Sequence, residues 1–526
     1  MFDANDRQLQ VAIVGCGAMG CGIAQLLAQA GVQVLLFDTK PASSQQALHT
    51  LHNNFARLQD KGKLTAQQVD AAKECLKIAQ ELSELSQAAV VIEAIIEDLA
   101  IKQQLFLQLE EIVASSTVLA SNTSSLSITS LAQVCAIPQR VAGLHFFNPV
   151  PLMKVVEVVA GLQTAPAVLR SLAALVKRCG HLAVQAKDTP GFIVNHAGRG
   201  YGTESLQILT EQVASAEQID CIMRQAAGFR LGPFELFDLI GLDVSVPVMQ
   251  AIYQQYFNEP RYRPSVLAAQ RKNAGLLGRK SGQGFYRYED GKAVLPPTNP
   301  SSQVGFNAAR LVWVSREEAQ WGAQLAALIE PLLAKLGPDA KLEQGTRPSE
   351  QALCLVTPVG EDVTTCLQRQ GLDGRAVLGV DMLLGLDKHR VLLTNPLTLP
   401  THARAAQALL MQDGVGVSLV RDSVGLVLQR VLAQIVNIAC DMAQQGIASP
   451  GDIDQAVRLG LAYPHGPLTW GDQLGPALLL RILQNMSAIT GDMRYRPSPW
   501  LRRRAQLQAS LLLPEMDLDT EEFDHA

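Results

Sequence analysis

The sequence predicts an α/β protein that begins with a doubly wound parallel sheet and continues mainly as helices. Three observations predict this class: an apolar segment enters a glycine-rich turn near the start, further apolar segments end in polar residues, and the second half repeats motifs of the first. The chain has 526 residues and is 48% apolar, enough for several domains with ordinary cores. We expect an α/β domain, a helical domain, a degenerate α/β segment and a second helical repeat.

The first strand and turn, "VAIVGCGAMG", are typical of a dinucleotide-binding unit. Residues 11–14 form the apolar run of a central parallel strand, and the glycines after it fit GxGxxG. Gly15 permits the tight turn, Gly17 lets the backbone approach a pyrophosphate, and Gly20 lets the next helix pack on the sheet. We therefore predict a Rossmann-type domain whose cofactor-binding turn comprises Gly15, Gly17, Ala18, Met19 and Gly20.

The second strand indicates which nucleotide is bound. Residues 32–37 are apolar apart from Gln33 and are followed by Asp38. A carboxylate at this position hydrogen-bonds the adenosine ribose and repels a 2′-phosphate. The sequence therefore predicts NAD as the cofactor rather than NADP.

A helical hairpin is predicted after the second strand. Residues 43–80 have a helical pattern that is interrupted by "QDKGKLT". Gly62 breaks the pattern, and Thr65 is a suitable N-cap for the helix that follows. We expect the hairpin to project from the sheet.

Three later strands end in polar side chains. The segments "AAVVIE", "TVLASNTSS" and "RVAGLHFF" lead into Glu93, Ser124 and His145. In an open parallel sheet, the ligand crevice lies beyond the carboxyl ends of the strands. We therefore expect these three side chains to converge there.

His145 is the candidate proton-transfer group, because imidazole exchanges protons near neutral pH. Glu157 lies in the alternating strand "MKVVEVV", where a carboxylate is costly unless it is paired. A pair between them would fix the imidazole tautomer and raise its basicity. The alternative is a core histidine bonded to a backbone carbonyl and a solvated glutamate. The neighbouring nucleotide motif favours the pair.

These motifs identify a family. Residues 9–288 closely resemble L-3-hydroxyacyl-CoA dehydrogenases through, in order, "GCGAMGCGIA", "VIEAIIED", "SNTSSLSIT", "GLHFFNPVPLMKVVEVV", "KDTPGFIVN", "GPFELFDLIGLD" and "GRKSGQGFY". The resemblance implies hydride transfer from C3 of an L-3-hydroxyacyl-CoA to NAD. It also implies a 3-oxoacyl-CoA product.

The resemblance also assigns roles by motif position. It implies that His145 is the general base and Glu157 its carboxylate partner. It further implies that Ser124 and Asn195 are catalytic residues that bind the substrate hydroxyl region. The remaining assignments are cofactor contacts by Glu97, Lys102, Ser124 and Asn148, and contact of Lys63 with the coenzyme A phosphates.

The second half of the chain repeats the first at offsets of 233 or 234 residues. "RDSVGLVLQR" at 421 parallels "KDTPGFIVNH" at 187, and "GPLTWGDQLG" at 466 parallels "GPFELFDLIG" at 232. The segment at 494–498 likewise repeats 261–265. Two helical domains of one kind are therefore expected. Because Gln429 occupies the position of Asn195, we expect the second copy to be structural.

The predicted organisation has five parts. They are an NAD-binding Rossmann domain at 1–186, a helical dehydrogenase C-terminal domain at 187–295, a linker and degenerate Rossmann-like segment at 296–420, a second helical repeat at 421–510 and an acidic tail at 511–526. The third part contains strands such as "ALCLVTP" and "HRVLLTNP", and the latter echoes "GLHFFNP". A decayed nucleotide domain and a strand-containing spacer both fit this segment.

Composition excludes several classes of function. The 44 basic and 49 acidic side chains give a net charge of −5 and are dispersed, which disfavours nucleic acid as a partner. Nine cysteines without CxxC spacing indicate neither a zinc site nor a disulfide framework. No apolar run approaches the roughly 18–20 residues of a membrane span. We expect a soluble, cytoplasmic protein without a metal.

The substrate is open at this point. The repeated layout resembles bacterial 3-hydroxyadipyl-CoA dehydrogenases of phenylacetate breakdown, with 3-hydroxybutyryl-CoA as the alternative. Arg199 and Arg230 are candidates for binding a distal carboxylate. A lysine-dependent dehydrogenase of free 3-hydroxyacids and a non-catalytic NAD or acyl-CoA binding protein are the rival functions. A homodimer and a pseudo-dimeric monomer, both formed through the helical domains, are equally consistent with the sequence.

Overall fold

The computed structural model describes residues 2–294 and 309–516. The predicted linker at 296–303 and residues 517–526 of the predicted tail lie outside the described residues. The chain forms two compact units. The first contains the residues up to His196 together with Met442–Ala462, and the second contains Ala197–Asp441 and Tyr463–Leu513. The five predicted domain boundaries stay predictions.

The first unit is built on an eight-stranded and mainly parallel sheet, which confirms the predicted Rossmann-type domain. The strand order is β3-β2-β1-β4-β5-β6-β7-β8, and only β6 and β7 are antiparallel. In chain order the strands are β1 Gln10–Val14, β2 Gln33–Phe37, β3 Leu76–Ile78, β4 Val90–Glu93, β5 Val118–Ser121, β6 Val141–Phe146, β7 Val155–Ala160 and β8 Leu182–Lys187.

The connecting helices cover this sheet. They are α1 Ala18–Gln29, α2 Pro41–Asp60, α3 Ala66–Glu74, α4 Leu99–Ile112, α5 Ile128–Ala132, α6 Pro166–Arg178 and α7 Val194–Ala197. The predicted hairpin is α2 and α3. Thr65 accepts a hydrogen bond from the Gln68 amide, and the Gln68 side chain accepts one from the Thr65 amide, so Thr65 is the N-cap as predicted.

The strands are apolar on both faces because helices cover both. Val11 and Ile13 on β1 and Val90 and Ile92 on β4 are fully buried. Ile23 of α1 packs with them in one core. This continuous burial is why the strands appear as unbroken apolar runs in the sequence.

The second unit begins with the first helical repeat. Its elements are α8 Arg199–Thr210, α9 Ala216–Gln225, α10 Pro233–Ile240, α11 Leu242–Gln255 and α12 Val266–Asn273, followed by the hairpin β9 Arg287–Glu289 and β10 Lys292–Val294. Within the described residues no single helix has the length and apolar composition of a membrane span. Helices α10 and α11 reach that length only as a pair bent by 105°.

A second, six-stranded sheet follows. Its elements are β11 Leu311–Val314, α13 Ala319–Ala334, β12 Lys341–Glu343, β13 Leu353–Val356, α14 Val363–Gln370, β14 Val377–Val380, β15 His389–Leu393, α15 Pro400–Leu410 and β16 Gly416–Val420. The order is β12-β11-β13-β14-β15-β16, and only β14 and β15 are antiparallel. This repeats the last strands of the first sheet, which favours a decayed nucleotide domain over a spacer.

The topology corrects one sequence comparison. The segment "HRVLLTNP" forms β15, which is antiparallel to its predecessor and parallel to its successor, as β7 is. It therefore corresponds to β7, and the counterpart of "GLHFFNP" is β14. The two strands were confused because β6 and β7 are both buried and have similar apolar sequences.

The second helical repeat has five helices, as the first has, in the same order. They are α16 Leu428–Gln444, α17 Pro450–Gly460, α18 Pro467–Leu474, α19 Pro476–Thr490 and α20 Pro499–Leu507. Unusual backbone conformations recur at the offset of 234: φ is 47° at Phe192 and 55° at Leu426, and 97° at Gly241 and 96° at Gly475. The duplication is therefore preserved at the level of single backbone angles.

The two repeats pack against each other through α8 and α16. A Cβ atom added to Gly200 would lie 2.9 Å from the Cα of Ile435, so the helices meet at their backbones. Beside this contact, Glu204 of the first repeat pairs with Arg430 of the second at 2.7 Å and accepts a hydrogen bond from the Tyr495 hydroxyl at 2.9 Å. Charges buried in this way require well-matched partners.

Candidate active site

The glycine turn after β1 has the geometry that a dinucleotide needs. Gly15 has φ of 101°, and its amide donates to the carbonyl of Phe37 at 2.9 Å. A Cβ on Gly20 would collide with the carbonyl oxygen of Gly15, so the third glycine allows α1 to close on the turn. At Gly17 a Cβ would meet nothing within 4 Å, and Gly17 begins α1 without a side-chain cap. The backbone there is open to a phosphate.

Asp38 is placed as predicted, at the end of β2 beside the turn. Its carboxylate accepts hydrogen bonds from the Cys16 amide at 2.9 Å and the Lys40 amide at 3.0 Å. These bonds fix the carboxylate next to the glycine turn. The arrangement fits NAD, because a ribose diol can share the carboxylate and a 2′-phosphate would be repelled by it.

His145 and Glu157 form the predicted pair. They face each other across the antiparallel strands β6 and β7, and His145 Nδ1 lies 2.5 Å from Glu157 Oε2. The His145 side chain is 6% exposed and that of Glu157 is fully buried. The bonded Nδ1 leaves Nε2 as the ring nitrogen that can exchange a proton with a bound alcohol. The alternative, a histidine bonded to a backbone carbonyl and a solvated glutamate, is wrong.

The other oxygen of Glu157 is held by the backbone. Oε1 accepts hydrogen bonds from the amides of Ile193 and Val194, each at 2.8 Å. Phe192 stands just before them with φ of 47°, which is unusual for a bulky residue. Sequence reasoning missed these donors. The only signal was "DTPGF", where Pro190 and Gly191 indicate a tight turn.

Aromatic rings and one asparagine fix the surroundings of His145. The ring of Phe147 lies edge-on at 4.4 Å between centroids, and that of Phe192 at 5.8 Å. Asn122 Oδ1 accepts a hydrogen bond from the Phe146 amide at 2.9 Å, which ties the turn after β5 to β6. Asn122 was also missed, although it lies within the quoted motif "SNTSS".

A chain of charges leads from β4 to Ser124. Lys102 is 1% exposed and lies 2.8 Å from both carboxylate oxygens of Glu93 and 3.3 Å from Glu97. The Ser124 amide donates to Glu97 Oε1 at 3.0 Å. Glu93 is fully buried and pairs with Lys102. The expectation that its side chain lines the crevice is therefore wrong.

The electrostatics of Glu97 follow from these contacts. Burial raises the pKa of its carboxyl group, but the hydrogen bond from Thr123 and the charge of Lys102 outweigh burial and leave the pKa below its usual value. Glu97 is therefore an anion at neutral pH. Its Oε1 atom accepts hydrogen bonds from the amides of Ser124 and Ser125 and from the hydroxyl of Thr123.

The other predicted site residues, Asn148, Asn195 and Lys63, lie in three different parts of the first unit. Asn148 is exposed in the loop after β6, and that loop packs on α1, where a Cβ on Gly22 would lie 2.8 Å from Val150. Asn195 is half-buried in α7, directly after Val194. Lys63 is exposed in the turn between α2 and α3.

The equivalent position in the second sheet has lost its chemistry. At the offset of 234, His145 corresponds to Gly379 and Glu157 to Val391. Gln429 accepts a hydrogen bond from the Gly360 amide at 2.7 Å and donates to the carbonyl of Pro358 at 3.0 Å, so its amide joins the loop after β13 to α16.

Two family descriptions match this chain. "3-hydroxyacyl-CoA dehydrogenase, NAD binding domain" matches residues 10–189. "3-hydroxyacyl-CoA dehydrogenase, C-terminal domain" matches twice, at residues 191–288 and 425–510. The second match covers the two helical repeats that the sequence offsets predicted.

Individual relatives match at full length or over the first half. A 3-hydroxyadipyl-CoA dehydrogenase of Escherichia coli K12 is 37% identical over 95% of this chain and 98% of its own. A probable 3-hydroxybutyryl-CoA dehydrogenase of Bacillus subtilis is 41% identical over 53% of this chain and 98% of its own. The crystal structure of a 3-hydroxybutyryl-CoA dehydrogenase from Escherichia coli K12 superimposes with a TM-score of 0.82 at 36% identity, over 95% of this chain and 98% of that one.

We predict that Asp38→Asn weakens the preference for NAD over NADP. The amide oxygen can still accept the Cys16 hydrogen bond, whereas the charge that repels a 2′-phosphate is gone. The measurement is the ratio of kcat/KM for NAD to kcat/KM for NADP. This ratio should fall by about 10-fold or more, which corresponds to a loss of roughly 1.4 kcal/mol in discrimination. An unchanged ratio would show that other residues set the preference.

Proposed function

Because the chain belongs to the 3-hydroxyacyl-CoA dehydrogenase family and is an NAD-dependent oxidoreductase, we propose that it oxidises an L-3-hydroxyacyl-CoA that carries a distal carboxylate, 3-hydroxyadipyl-CoA. The observation that carries the catalytic part of the proposal is the buried pair of His145 and Glu157, 2.5 Å apart at the end of β6. A full-length relative that bears the adipyl name supports the substrate.

In this proposal the glycine turn and Asp38 hold the cofactor. Gly15, Gly17 and Gly20 shape the turn, and residues 17–19 present backbone amides at the start of α1. When bound, NAD supplies the hydride acceptor. We propose that Asn148 and Glu97 also contact the cofactor.

The proton is handled by the chain itself. His145 Nε2 accepts the proton of the 3-hydroxyl group as C3 loses its hydride. Glu157 holds the opposite ring nitrogen, so the imidazole is presented in one tautomer and its positive charge is stabilised after transfer. We propose that Ser124 and Asn195 hydrogen-bond the substrate hydroxyl and orient it toward His145.

Burial changes the role that we propose for Lys102. Its ammonium group is enclosed by Glu93 and Glu97, so we assign it as a positioning residue for Glu97 rather than a direct cofactor contact. Lys63 is exposed at the tip of the helical hairpin, which suits contact with the coenzyme A phosphates.

Substitution of the catalytic pair tests the mechanism. We predict that His145→Gln lowers kcat by about 10² to 10⁴-fold, the usual cost of losing a general base, while the affinity for NAD is retained. Stopped-flow absorbance of NADH and NAD titration measure the two quantities. Glu157→Gln should lower kcat less, because the imidazole remains. A variant of His145 that keeps the original kcat would contradict the proposal.

The substrate is tested by comparing two acyl chains. We predict that kcat/KM for 3-hydroxyadipyl-CoA exceeds that for 3-hydroxybutyryl-CoA, and that Arg199→Met removes the difference. Burial lowers the pKa of Arg199 to about 10, and the nearby Tyr463 partly opposes this effect. Arg230 is exposed, and Arg230→Met tests the other candidate in the same assay. A preference for the butyryl ester would select the alternative substrate.

We also propose that the protein is a pseudo-dimeric monomer that works in the cytoplasm. The close contact of Gly200 with Ile435 and the buried ion pair of Glu204 with Arg430 occupy, within one chain, the surface that a second subunit would otherwise cover. Light scattering after size-exclusion chromatography should therefore give about the 56.7 kDa mass of one chain. A mass of twice this value at micromolar concentration would favour the homodimer.

A further inference from the structure

A segment of the second helical repeat covers the edge of the first sheet. Residues 442–462 belong to the same compact unit as that sheet. The Lys187 amide of β8 donates to the carbonyl of Ile447 at 2.8 Å, and the Gln185 amide donates to the carboxylate of Asp452. A strand edge without such partners is a site for unwanted pairing, so the segment completes the sheet.

The second unit contains the reciprocal arrangement. Arg421 directly follows the edge strand β16, and its amide donates to the carbonyl of Val213 at 2.9 Å. The Gln218 side chain donates to the carbonyl of Leu419 at 3.0 Å. Val213 and Gln218 stand 234 positions before Ile447 and Asp452. Covering the other copy's sheet edge is therefore a repeated property of the helical domain, found in both units.

In the first unit this segment reaches the residues that hold Glu157. Gly460 is the last residue of α17, and a Cβ added to it would lie 2.8 and 2.9 Å from the two methyl groups of Val194. The same atom would lie 3.5 Å from a methyl group of Val155, which begins β7. The Val194 amide is one of the two that donate to Glu157. One layer of side chains thus separates α17 from the buried carboxylate.

We propose that the C-terminal end of α17 positions the catalytic pair, and that Gly460 is a positioning residue which sets how closely α17 approaches Val194. The proposal rests on the dehydrogenase function given above. The second repeat supplies no group for proton transfer. It acts through packing, because α17 presses the turn at residues 192–194 into the place where its amides meet Glu157.

The test is Gly460→Ala. The first repeat has Ala226 at the equivalent position, and alanine favours helix more than glycine does, so the variant should fold. At 2.8 and 2.9 Å the added methyl group is closer to Val194 than real Cβ contacts are, so Val194 must shift to make room for it. Since a misplacement of about 1 Å can cost roughly 100-fold in rate, we expect kcat to fall about 3- to 10-fold while KM for NAD is unchanged.

Three further variants separate positioning from general damage. Gly451→Ala lies in the same helix, where a Cβ would meet nothing within 4 Å, and should keep the original kcat. Val194→Ala combined with Gly460→Ala should restore most of the lost kcat, because it removes the clashing methyl groups. In a Glu157→Gln background, Gly460→Ala should have little further effect.

Hydrogen exchange makes the outcome independent of turnover. The peptide containing the Ile193 and Val194 amides should exchange faster in Gly460→Ala than in the original protein or in Gly451→Ala, because both amides are protected by Glu157. If exchange is faster in Gly460→Ala but neither the original protein nor any variant is active, the proposed dehydrogenase function is rejected and the positioning role is kept. Unchanged exchange, or an unchanged kcat in an active enzyme, would overturn the positioning role of Gly460.

Discussion

The structure of the active site depends on how one buried charge is satisfied. Glu157 is fully buried in a strand of valines, and an unpaired carboxylate in such a place costs several kcal/mol. One oxygen is paired with His145, and the other accepts two backbone amides from the turn before α7. The carboxylate therefore joins β6, β7 and the turn before α7 at one point, and it orients the imidazole.

The duplication separates the parts of the fold that carry chemistry from those that carry structure. Both copies have an aspartate that accepts a hydrogen bond from the first amide of a helix. Asp188 accepts from the Ile128 amide of α5, and Asp422 accepts from the Val363 amide of α14. The second copy has lost the His–Glu pair, but it contains a buried carboxylate, Asp381, whose pKa is raised to about 6 by burial. Asp381 accepts from the Leu428 amide, much as Glu157 does from Val194. The second copy thus also has a carboxylate acceptor for this amide, but it comes from the residue after β14 rather than from β15.

The fold and the catalytic pair were predictable because their signals are local. The glycine turn, Asp38 and the N-cap Thr65 follow from short motifs, and Glu157 is recognisable as a charge in an apolar strand. The amides of Ile193 and Val194 leave no such signal, since every residue except proline has one and only the tertiary turn aims them at a carboxylate. The salt bridge between Lys102 and Glu93 was missed for a different reason. Glu93 ends a strand, so we expected its side chain to face the crevice, whereas it is buried against Lys102.

The position of α17 shows why a copy without chemistry would be retained. The sheet edge at β8 and the turn that holds Glu157 both need a covering element, and residues 442–462 supply it within the same chain. A covering element on a separate subunit is lost on dilution, whereas a fused one has an effective concentration that dilution does not change. Under the positioning role proposed for Gly460, the geometry of the catalytic pair does not depend on protein concentration. Selection for that property would preserve the packing surfaces of the second repeat while its catalytic positions drift to Gly379 and Val391.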